Sequence, residues 1–146
     1  MLRGDEPEDP LERSWVKHLR RLPDLAARIA GFPRHTAQTT ELTSPIYAVI
    51  ASAGTGEDEL ADLQRSLLEM RFTGQREIMI ALAQGQLLRP GLTVEQAADT
   101  FSALASPELH HLLRVKRGWS RRRYAHWLEQ TVKAALLGDF APTTEA

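Results

Sequence analysis

Residues 120–138 read SRRRYAHWLEQTVKAALLG, and their periodicity is the clearest structural signal in the chain. A mainly apolar set of side chains recurs at offsets 0, 3, 4, 7, 8 and 11, which is the spacing of one face of an α-helix. The set consists of Tyr124, Trp127, Leu128, Thr131, Val132 and Ala135. Because Ser120 supplies an N-cap and Gly138 ends the pattern, the stretch predicts an amphipathic helix with one face that must be covered.

Capping signals also open the helical segments that precede this one. Thr93 and Gln96 have the spacing of a capping box, and the Ser106-Pro107 pair combines an N-cap with a proline in the first turn. The longest periodic segment covers residues 57–88, and no convincing run of alternating β-branched and polar residues occurs anywhere. The expected fold class is therefore all-α, a helical bundle.

Proline and glycine residues divide the first half of the chain into shorter pieces. Pro10 follows the N-cap residue Asp9 and begins the first of six expected helices, which Pro23 either kinks or ends. The next expected features are a break at Gly31-Phe32-Pro33, a loop over residues 35–41, and a short helix that begins at Ser44-Pro45 and stops at Ala53-Gly54.

The composition is that of one soluble domain and excludes several classes of protein. The chain of 146 residues has no cysteine, which excludes disulfides and thiolate metal sites. No apolar run approaches the roughly 18 residues that a membrane span requires, and a net charge of -1 argues against a free-standing nucleic-acid-binding domain. We therefore expect a cytoplasmic protein with one helical body, residues 10–138, between an acidic lead, residues 1–9, and a tail, residues 139–146.

A set of motifs between residues 85 and 137 carries a family resemblance. The motifs are Gly85, Leu88-Arg89-Pro90-Gly91-Leu92, Ala97-Ala98-Asp99 with Ser102-Ala103-Leu104, Ser106-Pro107-Glu108-Leu109, Gly118-Trp119-Ser120, Tyr124, Trp127-Leu128, Thr131 and Leu136-Leu137. Their order and spacing resemble the C-terminal domain of TetR-type transcriptional regulators, whereas residues 1–55 match that domain only in helical character.

The resemblance implies a two-part protein. In such a regulator an N-terminal helix-turn-helix head binds DNA, and a helical body binds a small effector and pairs with a second subunit. Only the acidic lead precedes the first body helix here, so we expect the body without its head, belonging to a repressor when intact. DNA would then be bound only through the missing head. A shortened chain, a late gene start and a natural headless relative all fit this expectation.

The resemblance and the placement of aromatic residues predict an effector cavity. Its expected border is formed by Trp15, Tyr47, Met70 and Phe101, between the long central helix and the first two helices. Core packing is the alternative role for each of these side chains. The rival to the whole interpretation is a headless helical module that binds another protein and has no ligand cavity.

A two-fold homodimer is expected from the helices that begin near Thr93 and at Ser120, because two such helices from each subunit make a four-helix bundle. The predicted interface residues are Ala97, Ala98, Phe101, Ala105, Tyr124, Trp127, Leu128, Thr131 and Ala135. The basic run of residues 121–123 would lie at the rim. Its three interpretations are a solvated face, contacts with acidic groups of a partner, and nucleic-acid binding.

No catalytic, metal or cofactor site is predicted. His110 and His111 are adjacent, so on a helix they point about 100° apart and cannot bind one metal ion together. We find no ordering of serine, histidine and aspartate for nucleophilic catalysis and no cofactor loop. The expectation is a protein that is not an enzyme and that has neither a cofactor nor a membrane partner.

Overall fold

The computed structural model describes residues 9–53, 58–83 and 88–137, and every regular element in these ranges is helical. The α-helices are α1 (Ser14–Arg21), α2 (Leu25–Ala53), α3 (Asp58–Ala83), α4 (Val94–Leu104), α5 (Pro107–His111) and α6 (Arg121–Leu137). A short 3₁₀ turn, Pro10–Glu12, precedes α1, and a π-helical segment, Leu112–Lys116, continues α5. The predicted all-α fold class is confirmed. The predicted tail and all of the acidic lead except Asp9 lie outside the described residues.

The hydrophobic core lies where α2, α3, α4 and α6 meet. Phe32 of α2 stacks on Phe101 of α4 with the ring centroids 4.1 Å apart, and both rings are almost completely buried. The apolar face of α6 belongs to the same core. This face is therefore covered mainly by helices α2 and α4 of its own subunit. Among the described helices none combines the length and the apolar character that crossing a membrane would require.

Helix α2 departs from the sequence prediction. The break at residues 31–33, the loop over residues 35–41 and the new start at Pro45 are all wrong, because one continuous helix contains both Pro33 and Pro45. A proline inside a helix removes one backbone hydrogen bond and costs about 3 kcal/mol. Burial of one face of the first half of α2 offsets this cost. The buried residues of that face are Ile29, Phe32, Thr36, Ala37 and Thr40.

Gly31 allows a close contact between α1 and α2 instead of ending α2. A Cβ atom at this position would lie 2.3 Å from a methyl carbon of Leu19, which is far inside van der Waals contact. The two helices therefore approach as closely as they do because residue 31 has no side chain. Of the two alternatives at Pro23, the helix ends: α1 stops at Arg21, and Asp24 caps the start of α2 by accepting a hydrogen bond from Ala26 N at 3.2 Å.

The capping signals of the second half are confirmed. Thr93 Oγ1 accepts a hydrogen bond from Gln96 N at 3.1 Å, and Gln96 Oε1 accepts one from Thr93 N at 3.0 Å. Gly118 ends the π-helical segment with a positive φ of 68°. Trp119 N then donates to Leu113 O at 2.9 Å, a bond that reaches back across a wider turn than an ordinary helix end would require.

Candidate functional site

Two half-open cavities flank helix α2. The first, here called the Trp15 cavity, has a volume of about 230 Å³ and lies between α1, α2 and α3, with walls that include Trp15, Tyr47 and Met70. The second, here called the His110 cavity, has a volume of about 530 Å³ and lies between the second half of α2, the first half of α3 and α5. Tyr47 belongs to the wall of both cavities.

The Trp15 cavity brings together three of the four predicted effector residues. Trp15, Tyr47 and Met70 lie in its wall, and Met70 keeps 60% of its surface exposed, which places it at the rim. Phe101 does not line the cavity, so that part of the prediction is wrong. Its ring is fully buried behind the wall, where it stacks on Phe32, a residue that does line the cavity.

Aromatic stacking fixes one side of the Trp15 cavity. The rings of Trp15 and His35 are nearly parallel with centroids 3.8 Å apart. Burial lowers the pKa of His35, and the positive charge of Arg13 lowers it further, so the neutral imidazole is favoured in this stack. The sequence placed His35 in a loop, whereas the continuous helix α2 aims it at Trp15.

Gln75 is a wall residue of the Trp15 cavity with a buried amide oxygen that has no partner among the described residues. The side chain is only 7% exposed, it lines the cavity, and its amide oxygen Oε1 has no hydrogen-bond partner in the described part of the chain. A buried polar atom without a partner costs about 1–3 kcal/mol, and in native structures it calls for an explanation.

Arg71 supplies a fixed positive charge beside the same cavity. Its Nη2 donates to Thr40 Oγ1 at 2.9 Å and to the carbonyl oxygen of Ala105 at 2.8 Å. These bonds join α3 to α2 and to the end of α4, so the guanidinium is held in place by residues from three helices. Local sequence patterns do not predict these bonds, because the two partners of Arg71 are more than thirty residues away along the chain.

A charged cluster includes His110, one wall residue of the His110 cavity. Glu41 of α2 accepts hydrogen bonds from Arg114 Nε on both carboxylate oxygens, at 3.0 and 3.2 Å, and lies 2.8 Å from His110 Nε2. The bonds from Arg114, assisted by the bond from His110, lower the pKa of Glu41 to about 2, although partial burial opposes the shift. Arg114 Nη1 also donates to the carbonyl oxygen of Trp119 at 2.6 Å.

Two buried polar atoms next to this cluster have no hydrogen-bond partner among the described residues: His110 Nδ1 and the Tyr124 hydroxyl. The two rings meet edge to face with centroids 4.8 Å apart, and burial raises the pKa of Tyr124 to about 12. His110 is almost fully buried while His111 is exposed, so the two rings diverge as their adjacency predicts. In the described ranges no group of three potential metal ligands comes together.

The predicted dimer interface needs a correction. Six of its nine residues are buried inside their own subunit and cannot contact a partner: Ala97, Ala98, Phe101, Ala105, Tyr124 and Leu128. The face of α6 that carries Tyr124 and Leu128 packs against α2 and α4. Trp127, Thr131 and Ala135 are only partly buried, and they follow one line along α6 at intervals of four residues.

The basic run of residues 121–123 is exposed at the start of α6. The guanidinium of Arg123 lies 4.2 Å from the centre of the Trp119 ring, a cation–π contact. Trp119 in turn meets Trp127 edge to face with the centroids 5.9 Å apart. The line of partly buried residues on α6 begins with Trp127. Trp119 packs against this end of the line, with Arg123 over its ring.

Each cavity has mainly apolar walls, and one wall residue of each carries a buried polar atom without a partner in the described part of the chain, Gln75 Oε1 in the first and His110 Nδ1 in the second. The two spaces suit small, largely apolar molecules. Comparisons of the chain with protein-family models, with curated proteins and with solved structures returned no match.

Proposed function

We propose that this chain is the effector-binding and dimerisation part of a cytoplasmic, TetR-like transcriptional regulator that acts as a repressor when intact. The observation that carries the proposal is the Trp15 cavity, in which Trp15, Tyr47 and Met70 border one space and a further wall residue, Gln75, has a buried amide oxygen without a partner among the described residues. The motif pattern between residues 85 and 137 supports the same proposal. The effector would be a small, largely apolar molecule with a hydrogen-bond donor.

The proposed response to the effector is a shift between two arrangements of α1, α2 and α3, the helices that surround the cavity. A ligand favours one arrangement only to the extent that it binds that arrangement more tightly. Because Leu19 occupies the space left by Gly31, α1 cannot slide along α2 without a change in this contact. In an intact regulator such a movement of α1 would alter the spacing of the two DNA-binding heads.

A thermal-shift screen of the purified chain tests the proposal. The panel consists of aromatic alcohols and amides together with their methyl analogues, which have the same shape but no donor. A ligand at 100 times its Kd adds about 2.7 kcal/mol to the free energy of unfolding, so a binder raises Tm by several degrees. We expect alcohols or amides to raise Tm and their methyl analogues to have a smaller effect.

Gln75→Met identifies the site, because methionine keeps the length of the side chain and removes the amide. Without ligand the variant should be more stable than the original chain by about 1 kcal/mol, since a buried acceptor without a partner is lost. It should also lose about tenfold in affinity for the binders found in the screen. Gln130→Met, on the exposed side of α6, is the matched control and should change neither quantity.

Failure of every compound in the panel to raise Tm would contradict an effector site in this chain. Binding that Gln75→Met leaves unchanged would contradict its assignment to the Trp15 cavity.

Dimerisation is proposed through the remaining line of Trp127, Thr131 and Ala135 on α6. Ala135→Arg introduces a charge on this line and should weaken the dimer, as measured by sedimentation equilibrium. Ala134→Arg, one residue away on the exposed side, is the control and should leave association unchanged. A wild-type chain that sediments as a monomer at micromolar concentration would refute this part of the proposal.

A second candidate function is a helical module that binds another protein. It is favoured by three large apolar side chains on the second half of α2, Leu42, Ile46 and Val49, which are 75%, 58% and 67% exposed. The ligand panel separates the two candidates. A module without an effector has no physical reason to distinguish an alcohol from its methyl analogue.

A further inference from the structure

We infer that the effector of the Trp15 cavity is an aromatic carboxylate, whose negative charge is bound by the guanidinium group of Arg71. The inference rests on the proposed function, because it concerns the ligand of the same cavity. It adds one feature to that ligand, since the molecule carries an anionic group besides its hydrogen-bond donor.

The permanently charged side chains in the wall of the cavity are all cationic. Arg13 and Arg71 belong to the wall, and none of its residues is an aspartate or a glutamate. Neither arginine forms an ion pair within the described part of the chain. Besides burial, the positive charge of Arg13 lowers the pKa of His35 across the same space. The cavity therefore has a positive potential without a counter-ion, which favours an anion.

Arg71 has hydrogen-bond donors that the protein does not use. A guanidinium group carries five N–H groups, and here only Nη2 donates, to Thr40 Oγ1 and to the carbonyl oxygen of Ala105. Nε and Nη1 have no partner among the described residues, and neither belongs to the fully enclosed polar atoms in that state. Both nitrogen atoms therefore keep some accessible surface. A carboxylate that accepts from either of them makes a charge-assisted hydrogen bond.

The carboxylate of Glu41 does not neutralise Arg71. Apart from its burial, Tyr124 senses the charges of both Arg71 and Glu41, so the two groups lie in the same region of the molecule. Both carboxylate oxygens of Glu41, however, are bound by Arg114, and Glu41 forms no ion pair with Arg71. The charge of Arg71 thus stays available to a ligand.

The remainder of the wall suits an aromatic ring. Trp15 and His35 stack with their centroids 3.8 Å apart, and the rings of Phe32 and Tyr47 also belong to the wall. An apolar cavity of about 150 Å³ binds benzene, so a volume of about 230 Å³ accommodates one substituted ring. An aromatic ring with a carboxylate at one end would place its apolar part against these rings and its charge at Arg71.

The test is a charge series on one aromatic body: 4-(hydroxymethyl)benzoate, 4-(hydroxymethyl)benzamide and 4-(hydroxymethyl)benzylamine. The three compounds share the ring and the hydroxyl donor, and at neutral pH they are negative, neutral and positive. Titration of the full chain, followed by ¹H–¹⁵N NMR, measures each Kd. We expect the benzoate to bind about tenfold more tightly than the benzamide, because its hydrogen bond joins two charged groups. The benzylamine should bind most weakly.

Two variants test the assignment to Arg71. Arg71→Met removes the charge and keeps an apolar stem, so the benzoate should lose about tenfold in affinity and the benzamide should change little. Arg76→Met makes the same substitution on the same helix but outside both cavities, and it should keep the preference for the benzoate. Circular dichroism confirms that each variant is folded.

Arg13→Gln is a milder variant of the same wall, needed because Arg71 also joins three helices and its loss can unfold the chain. The side chain of Arg13 is exposed and does not cap α1. Its replacement should therefore leave the fold intact and reduce the preference for the benzoate by about two- to threefold, the effect of one exposed charge.

A benzoate that binds no more tightly than the benzamide would overturn the inference. A preference that stays unchanged in every folded variant of Arg71 and Arg13 would also overturn it, because the anion would then bind elsewhere. In either case a benzamide that Gln75→Met weakens would still support an effector site in the Trp15 cavity. Absence of binding by all three compounds would overturn the inference alone, since the wider panel of alcohols and amides decides the proposed function.

Discussion

The two halves of helix α2 are both rich in apolar residues but differ in burial. In the first half, residues 25–40, Ile29 and Phe32 are buried in the core with α4 and α6. In the second half, residues 41–53, Leu42 and Val49 extend into solvent, and Ala48 lies in the wall of the His110 cavity. Hydrophobicity alone therefore does not determine burial along this helix, because cover by α4 and α6 is also needed.

Polar contacts mark the point where the two halves meet. Thr40 is the last fully buried residue of the first half, and its hydroxyl accepts the hydrogen bond from Arg71. Glu41 is the first residue of the second half, and it holds His110 and Arg114. At the end of the buried face of α2, two consecutive residues are thus anchored to different parts of the chain.

The largest difference between the halves should appear on truncation of an apolar side chain. Phe32→Ala removes a buried ring that stacks on Phe101, and it should lower the free energy of unfolding by about 3–5 kcal/mol. Val49→Ala removes methyl groups that already contact water, and its cost should stay within about 0.5 kcal/mol. Urea denaturation monitored by circular dichroism measures both. Similar losses in the two variants would mean that the second half is also covered in solution.

A smaller effect is expected at the ion pairs of the two halves. Glu41→Gln removes the charged partner of Arg114 and His110, and it should cost about 2–3 kcal/mol, as hydrogen bonds to a charged group do. Glu129→Gln breaks the pair with the exposed Arg34 of the first half, and it should cost less than about 1 kcal/mol.

The acid dependence of stability provides a second measurement of the Glu41 cluster. Because the folded state lowers the pKa of Glu41 from 4.5 to about 2, its contribution is complete above pH 4.5 and is lost as the pH falls toward 2. The free energy of unfolding of Glu41→Gln should fall less over this range than that of the original chain. An identical slope in both proteins would show that the carboxylate is not held as the structure has it.

The smallest expected effect concerns the two prolines of α2. Pro45 is exposed, so Pro45→Ala restores a helical hydrogen bond and should raise the free energy of unfolding by about 1–2 kcal/mol. Pro33 is fully buried, and Pro33→Ala should gain less because the smaller side chain leaves a void in the core. Thermal unfolding of the two variants compares them directly. A larger gain at Pro33 would contradict the difference between the halves.

Local signals in the sequence predict where helices begin in the second half of the chain. They do not predict that α2 is one continuous helix. The capping box at Thr93 and the cap at Ser106 depend on neighbouring residues alone, so they could be predicted. The continuity of α2 depends on burial against α4 and α6, which residues 31–45 do not reveal by themselves. From the sequence alone, proline and glycine therefore predict breaks, and His35 is predicted in a loop.

The candidate sites, too, could be predicted from the sequence only in part. Aromatic placement and the family resemblance predict Trp15, Tyr47 and Met70 around one cavity, and the three do line the same cavity, whereas the walls of the His110 cavity come from three segments that are far apart in sequence. Periodicity showed which face of α6 is apolar. It could not show whether that face is covered by its own subunit or by a partner, and for Tyr124 and Leu128 the cover comes from within the subunit.

Tyr47 forms part of the wall of both cavities, and one ring cannot adopt two positions at once. Any movement of this ring therefore changes the shape of both cavities together. Tyr47→Ala would enlarge the two spaces at once, so the dimensions of two separate clefts are coupled through a single side chain.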